Sequence, residues 1–277
     1  MSEQRGPVTV GIDGSADSAL AVAWATDLAG RASVPLRVVD VLGAEEAETD
    51  WGRQMAEDRV AEVRRRLDAA GVSYEVETRT GRPAEQLIAA AGDASALVVG
   101  AKGHGAVEGL LIGSVSQHVS RHAPCPVVVV REPADAAATR VVVGADGSDE
   151  SVAALSWAFA HAEATGAQLR VVYAFRTSAQ SPAVLSGYVP TNVGDEVAIA
   201  ERFLDDLVAV TAESYPDVVV TTDAIPVPST QALIEASQSA ALVVVGSRGR
   251  GAFEGLLLGS VSQTLLQHAA CPVAVVR

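Results

Sequence analysis

Two glycine-rich segments of the chain have the composition of phosphate-binding loops. They read GAKGHGAVEGLLIGS at 100–114 and GSRGRGAFEGLLLGS at 246–260. Glycine lets a backbone approach a ligand closely, because it has no Cβ. Each segment ends in Gly-Ser at the expected start of a helix, where unpaired N–H groups and the helix dipole attract anions. We therefore predict one phosphate site in each half of the chain, with Lys102 and Arg248 within reach of it.

An aspartate follows the first predicted strand of each half, and the glycine-rich segment follows the fourth. The aspartates are Asp13, in VGIDGS, and Asp146, in VGADGS. Sheets of parallel strands bind ligands beyond the carboxyl ends of the strands. We therefore expect each aspartate and its loop to serve one site, although an aspartate there could also cap the next helix.

Other phosphate and metal motifs fit less well. Neither loop has the lysine of a Walker A motif, and the dinucleotide fingerprint would need its GxG after the first strand. Asp40 lies near the end of the second predicted strand, where the dinucleotide fold has a ribose-binding acid. Its counterpart in the second half is Tyr173, so this feature is not repeated. His118 and His122 have metal-ligand spacing on a helix, yet this pair is not repeated in the second half. We predict no metal ligand among the protein side chains.

The chain is an internal duplication. Residues 108–131 and 254–277 are identical at 17 of 24 positions, and VGIDGSADSALAVAWA at 10–25 corresponds to VGADGSDESVAALSWA at 143–158. The offset between the halves rises from 133 to 146, so the second half has 13 additional residues, and most of them fall in 176–192. We predict two domains, 1–133 and 138–277, joined by a short Pro/Ala linker.

Short β-branched runs alternate with helical patterns in each half. In the first, strands are predicted at 8–12, 36–42, 72–79, 96–100 and 126–131, and helices at 15–32, 56–71, 84–92 and 113–123. This alternation predicts an α/β fold of two tandem doubly wound domains, each a five-stranded parallel sheet with helices on both faces. The apolar fifth strands, PVVVVR and PVAVVR, lead us to expect that the two copies pair through them.

Composition limits the classes of partner. The net charge is −14 and the pI about 4.7, which disfavours binding to nucleic acid or to an anionic membrane. No apolar run is long enough to span a bilayer, and no signal peptide is evident at the start, so a cytoplasmic location is expected. Cys125 and Cys271 are then expected to be reduced and partly buried.

The loop pattern G-x-x-G, nine residues and G-S, together with the strand-1 aspartate and found twice, resembles the ATP-binding branch of the universal stress protein family, in its tandem actinobacterial form. The resemblance implies an adenine nucleotide α-hydrolase-like fold, ATP as ligand (with Mg²⁺) and a homodimer. The candidate ATP-binding residues of the first half are Gly11, Asp13, Val41, Gly100, Ala101, Lys102, Gly103, His104, Gly105, Gly113, Ser114 and Val115. Those of the second half are Gly144, Asp146, Ala174, Gly246, Ser247, Arg248, Gly249, Arg250, Gly251, Gly259, Ser260 and Val261.

The function expected from these residues is ATP-dependent regulation of a stress response. No nucleophile lies beside an evident base, so catalysis is not predicted, although a slow ATPase or phosphotransfer enzyme of the same fold is the alternative. A structural dimer with vestigial loops is a third possibility.

Two differences between the halves predict unequal sites. Ala101 stands where the second half has Ser247, and Gly81-Arg82-Pro83 in the first half corresponds to Pro226-Val227-Pro228 in the second.

Overall fold

The computed structural model describes residues 6–104, 111–176, 193–251 and 256–277. The chain divides into two compact units, Met1–Glu132 and Pro133–Arg277, called unit 1 and unit 2 below. The candidate residue Gly105 and residues 177–192 of the predicted insertion lie outside the described residues. The domain limits 1–133 and 138–277 remain our proposal.

Unit 1 alternates strands and helices along the chain. Its elements are β1 (Val8–Ile12), α1 (Ala16–Ala32), β2 (Leu36–Leu42), α2 (Ala44–Glu48), α3 (Asp50–Ala70), β3 (Tyr74–Thr80), α4 (Pro83–Ala90), β4 (Ala96–Gly100), α5 (Ser114–His122) and β5 (Val127–Val130).

Unit 2 repeats this order, except that its described residues contain no counterpart of α2. Its elements are β6 (Val141–Gly144), α6 (Asp149–Thr165), β7 (Leu169–Ala174), α7 (Val193–Ala212), β8 (Val220–Ile225), α8 (Ser229–Ser237), β9 (Leu242–Gly246), α9 (Ser260–His268) and β10 (Val273–Val276).

The strands of each unit form a parallel sheet. The order is β3-β2-β1-β4-β5 in unit 1, and the matching order in unit 2 is β8-β7-β6-β9-β10. Strand β1 pairs with both β2 and β4, and β6 pairs with both β7 and β9, so the order reverses at these strands. The predicted doubly wound fold is confirmed. The carboxyl ends of β1 and β4 are neighbours, and so are those of β6 and β9, which makes this edge the expected place for a ligand.

Capping explains the helix that follows the first strand. Ser15 is the N-cap of α1, and its Oγ accepts a hydrogen bond from the N–H of Ser18 at 3.2 Å. Ser148 caps α6 in the same way, through the N–H of Ser151 at 3.3 Å. A side-chain oxygen at this position satisfies an N–H that has no partner within the helix. The helix cap is therefore a serine, and the preceding aspartate is available for another role.

The predicted helix at 56–71 was too short. Helix α3 begins at Asp50, and a short helix, α2, precedes it. Thr49 caps α3 by accepting the N–H of Gly52 at 3.0 Å. The first turns of α3 carry Trp51, 72% exposed, and Met55, 40% exposed, and they bury only the small residues Gly52 and Ala56. Large apolar side chains on a buried face, the signal used for the prediction, are therefore missing at the start of this helix.

Candidate functional site

In unit 1 the Asp13 carboxylate joins β1 to the glycine-rich loop after β4. Its Oδ1 accepts the N–H of Ser15 at 2.9 Å, and its Oδ2 accepts the N–H of His104 at 2.8 Å. The two segments identified from the sequence therefore meet through one side chain. Asp13 supports both the start of the helix and the shape of the loop.

Unit 2 repeats this arrangement with one more hydrogen bond. Asp146 Oδ1 accepts the N–H of Ser148 at 3.0 Å and its Oγ–H at 2.6 Å, and Oδ2 accepts the N–H of Arg250 at 3.0 Å. Burial raises the pKa of Asp146, but the hydrogen bonds from Ser148, Arg250 and Ser151 outweigh it and hold the pKa below its usual value. The carboxylate is therefore ionised at neutral pH and is a weak base.

The loop glycines permit the close contact with the aspartate. A Cβ on Gly249 would lie 2.5 Å from Asp146 Oδ2, and a Cβ on Gly103 would collide with Asp13 Oδ2. A larger residue at either position would push the carboxylate away from the loop. The strand aspartate and the loop glycine of each unit therefore depend on each other sterically.

The loop returns to the sheet where the next helix starts. The N–H of Gly113 donates to Ala101 O at 2.7 Å, and that of Gly259 donates to Ser247 O at 2.7 Å. These glycines are the N-caps of α5 and α9, and neither cap has a side-chain hydrogen bond. Ser114 and Ser260 begin the helices and are exposed, and Val115 and Val261 follow them, half-buried. Both helix N-termini therefore lie beside the loop, as an anion site requires.

Unit 2 has a cavity of about 480 Å³ at this edge of its sheet. Binding sites for small ligands are usually about 300 to 1,000 Å³ in volume, so its size suits a nucleotide. Of the twelve candidates in unit 2, all but Ser247 line it. The lining candidates are Gly144, Asp146, Ala174, Gly246, Arg248, Gly249, Arg250, Gly251, Gly259, Ser260 and Val261.

The predicted hydroxyl difference between the units lies in the interior. Ala101 and Ser247 are each 3% exposed, and each donates its backbone N–H to the last strand of its unit, to Val130 O and Val276 O. Ser247 does not line the cavity of unit 2. The buried Ser247 hydroxyl is therefore not a ligand contact of this cavity.

Residues on the third helix of unit 2 also line the cavity, and sequence reasoning missed them. Leu233 of α8 lies over β6: a Cβ on Gly144 would be 2.9 Å from its Cδ1. Ser229 Oγ donates to Ala174 O at 3.1 Å. In unit 1 Leu87 covers Gly11 in the same way. The helix starts correct the predicted alignment by one residue: Pro83 and Ser229 are the first residues of α4 and α8, so Pro83 takes the place of Ser229 and not of Pro228. Two sequence signals together could have indicated this contact: an apolar residue on the inner face of α4 or α8, and a glycine in the strand that leaves room for it.

The end of the second strand differs between the units. In unit 1 Asp40 is fully buried and pairs with Arg59 of α3, with Nη2 and Oδ1 3.1 Å apart. Burial raises the pKa of Asp40, and Arg59 lowers it only in part. Val41, the predicted adenine contact, comes next along the strand.

In unit 2 aromatic side chains take the place of this ion pair. Tyr173 and Phe203 lie with ring centroids 5.0 Å apart, and Tyr173 also stacks on Phe175 at 5.7 Å. The Arg250 guanidinium lies 5.6 Å from the centroid of Phe203. Tyr173 and Phe175 flank Ala174, the counterpart of Val41, along the chain, although none of the three rings lines the cavity. The side chains next to the predicted adenine contact, called the wall below, are thus charged in unit 1 and aromatic in unit 2.

No metal centre is evident in the part of the chain that the structure describes. That part contains no group of three or more His, Cys, Asp or Glu side chains arranged to hold an ion. His118 and His122 stack with ring centroids 4.3 Å apart, and His122 Nδ1 lies 2.9 Å from His118 O. Cys125 and Cys271 are buried. Among the described helices, none has both the length and the apolar character that a bilayer crossing needs.

Comparison with known proteins gives a family for this architecture. The model of the universal stress protein family matches twice, at residues 5–131 and 138–277. A universal stress protein of Mycobacterium tuberculosis is 36% identical over 290 residues, which cover 98% of this chain and 96% of the relative. One of Mycolicibacterium smegmatis is 33% identical over 288 residues, with the same coverage.

A solved structure supports the fold independently. A universal stress protein from Archaeoglobus fulgidus superposes with a TM-score of 0.72 at 21% identity, covering 99% of this chain and 97% of its own. With two family matches and near full-length relatives, the chain belongs to the universal stress protein family, as a tandem of two family domains.

Proposed function

We propose that each unit binds ATP, with Mg²⁺, at the carboxyl edge of its sheet, and that occupancy regulates a stress response. The observation that carries this is the unit 2 cavity, where the Asp146 carboxylate, the loop backbone and the N-terminus of α9 converge. A polyphosphate fits at the helix N-terminus, where N–H groups and the dipole favour negative charge. The apolar wall of Leu233, Val172 and Ala174 suits a nucleobase.

The chemistry of the site supports binding over catalysis. Asp146 is the carboxylate in the cavity wall, and both its oxygens already accept hydrogen bonds from the protein. A general base works best when its pKa lies near the operating pH, whereas the pKa of Asp146 is lowered. This favours a regulatory nucleotide site rather than an ATPase. The homodimer and the cytoplasmic location stay predictions.

Equilibrium binding with a panel of ATP, ADP, AMP, cyclic AMP, GTP and adenosine tests the proposal. We expect ATP to bind with and without Mg²⁺, up to two per chain, and nucleotide released from the purified protein to be identified by mass spectrometry. Failure of ATP to bind at millimolar concentration would contradict the proposal.

Glycine variants assign the binding to the two sites. Gly103→Ala should abolish binding at unit 1 and Gly249→Ala at unit 2, because each Cβ would displace the aspartate. Gly30→Ala is the matched control, since a Cβ there meets only Val72, at an ordinary 3.5 Å. If each of the two site variants still bound two nucleotides per chain, the nucleotide sites would lie elsewhere in the protein.

A further inference from the structure

The guanidinium of Arg248 in the unit 2 loop is held by a carboxylate. Arg248 Nε and Nη2 donate to Glu150 Oε1 at 2.8 Å and 2.5 Å. Glu150 belongs to the first turn of α6, and its side chain is only 20% exposed, whereas that of Arg248 is 47% exposed. Both donors share one oxygen of a partly buried acid, so the ion pair holds the arginine in a defined position.

This arginine lies beside the predicted phosphate position. Arg248 lines the cavity, and a Cβ on Gly259, the N-cap of α9, would lie 3.3 Å from Arg248 Cα. The backbone of Arg248 and the helix N-terminus are therefore adjacent. A phosphate bound at this helix N-terminus would compete with Glu150 for the guanidinium if the side chain turned toward it.

Unit 1 lacks this competition. Asp17 stands at the position of Glu150, and its Oδ2 accepts the backbone N–H of Lys102 at 2.9 Å. The shorter acid thus binds the backbone of the loop instead of its cation. Within the described residues the Lys102 ammonium makes no ion pair, so its charge is available to a ligand.

We propose that Glu150 is a specificity-determining residue of unit 2: by neutralising Arg248 it weakens the dependence of affinity on the number of phosphates. The inference rests on the proposed function that unit 2 binds an adenine nucleotide. Unit 2 then discriminates less between ATP and less charged adenine compounds, while unit 1, with Lys102, discriminates more. Two sites with one motif thus respond to different features of the nucleotide pool.

A double-mutant cycle tests this in the full chain. The background is Gly103→Ala, which confines binding to unit 2, and the variants are Glu150→Gln, Arg248→Gln and both together. The quantity compared is the ratio of ATP affinity to adenosine affinity, measured by calorimetry. We expect Glu150→Gln to raise this ratio about fivefold, as the release of one partly exposed ion pair predicts, and to leave it unchanged when Arg248 is already glutamine.

Several outcomes would overturn the inference. A ratio that Glu150→Gln leaves unchanged or lowers contradicts it, and so does an equal rise with and without Arg248. These differ from failure of the proposed function, in which the background protein binds neither ATP nor adenosine. Asp17→Asn in unit 1, with Gly249→Ala as background, is the matched control. It loosens the loop backbone, so it should not raise the ratio.

Salt dependence supplies a second readout that a merely structural role would not change. Exposed charges are screened at high ionic strength. ATP affinity of the Glu150→Gln variant should therefore fall more steeply with salt than that of its background, because one more cation faces the phosphates. Parallel salt slopes for the two proteins would contradict the proposal even if the thermal stability of the variant were altered.

Discussion

The two units support the same backbone turn with opposite chemistry. In unit 1 the turn after the strand aspartate contains Gly14, and a Cβ there would lie 2.9 Å from Arg59 Cδ. In unit 2 Gly147 occupies the turn, and its Cβ would lie 2.8 Å from Phe203 Cζ. Both glycines have positive φ, +82° and +78°, which L side chains rarely adopt. A charged side chain and an aromatic one thus fill one place beside one motif.

Duplicated sites can diverge beside an unchanged motif. An ion pair such as Asp40 with Arg59 depends on both partners, because the loss of either leaves a buried charge. The aromatic cluster around Phe203 has no such requirement and adds a cation contact to Arg250 instead. The loop motif can therefore stay unchanged while the wall beside it changes its charge and its tolerance of substitution.

The largest expected effect comes from removing one partner of the ion pair. Arg59→Met should destabilise unit 1 by about 3 kcal/mol, since it leaves the fully buried Asp40 unpaired. Asp40 already has a raised pKa, so its ionised form opposes folding, and stability falls as pH rises through that pKa. Loss of Arg59 raises the pKa further, so the destabilisation should be larger at pH 7 than at pH 5 in urea unfolding.

The control introduces the aromatic residues of unit 2 into unit 1. Asp40→Tyr with Arg59→Phe removes both charges and should recover most of the lost stability, because apolar replacements of buried ion pairs are often neutral or better. If the double variant is as unstable as Arg59→Met, shape rather than charge explains the effect. Each unit must be followed separately, since two domains need not unfold together.

A smaller effect separates the two strand aspartates. Asp146→Asn should cost about 2 kcal/mol of unit 2 stability, because the charge-assisted hydrogen bonds weaken. Asp13→Asn should cost unit 1 less. Ser15 Oγ donates to Lys102 O at 3.3 Å rather than to the aspartate, whereas Ser148 Oγ donates to Asp146 at 2.6 Å. Equal losses in thermal unfolding would remove Ser148 as the source of the difference.

The same variant has a pH signature. The pKa of Asp146 is lowered in the folded protein, so its contribution to stability is complete above the usual carboxylate value and is lost as pH falls through the folded pKa. Asp146→Asn should therefore flatten the acid side of the stability profile of unit 2. An unchanged acid slope would show that other carboxylates dominate it.

The smallest effect concerns the aromatic wall. Phe203→Leu should lower the ATP affinity of unit 2 by roughly twofold to fivefold, because Arg250 loses a cation–π contact of about 0.5 to 1 kcal/mol. Phe175→Leu is the matched control, because Phe175 stacks on Tyr173, whereas the guanidinium of Arg250 lies over the ring of Phe203. Equal effects of the two variants on binding measured by calorimetry would show that general packing, and not Arg250, is responsible.

Much of the fold was predictable from local patterns. Strands β1, β2 and β4 have the predicted bounds, and α1 differs from the prediction by one residue. These elements have strong periodicity or a capping serine. The predicted start of α3 was wrong, because its first turns bury only Gly52 and Ala56, while the large apolar residues Trp51 and Met55 are exposed. The placement of the site residues followed from the rule that parallel strands meet at their carboxyl ends.

The duplication, the order of strands and helices, and the pairing of an aspartate with a glycine-rich loop in each half can all be read from the sequence. Each of these features follows from the spacing of residues or from the repetition of a segment. Three features required the folded structure: Arg59 and Phe203 fill equivalent places, Leu233 and Ser229 line the cavity, and Glu150 holds Arg248. Those contacts join residues far apart in the chain, and the packing of helices on the sheet sets which of them meet. The motif specifies the backbone conformation of the loop, whereas the side chains around the loop depend on residues that are distant in sequence.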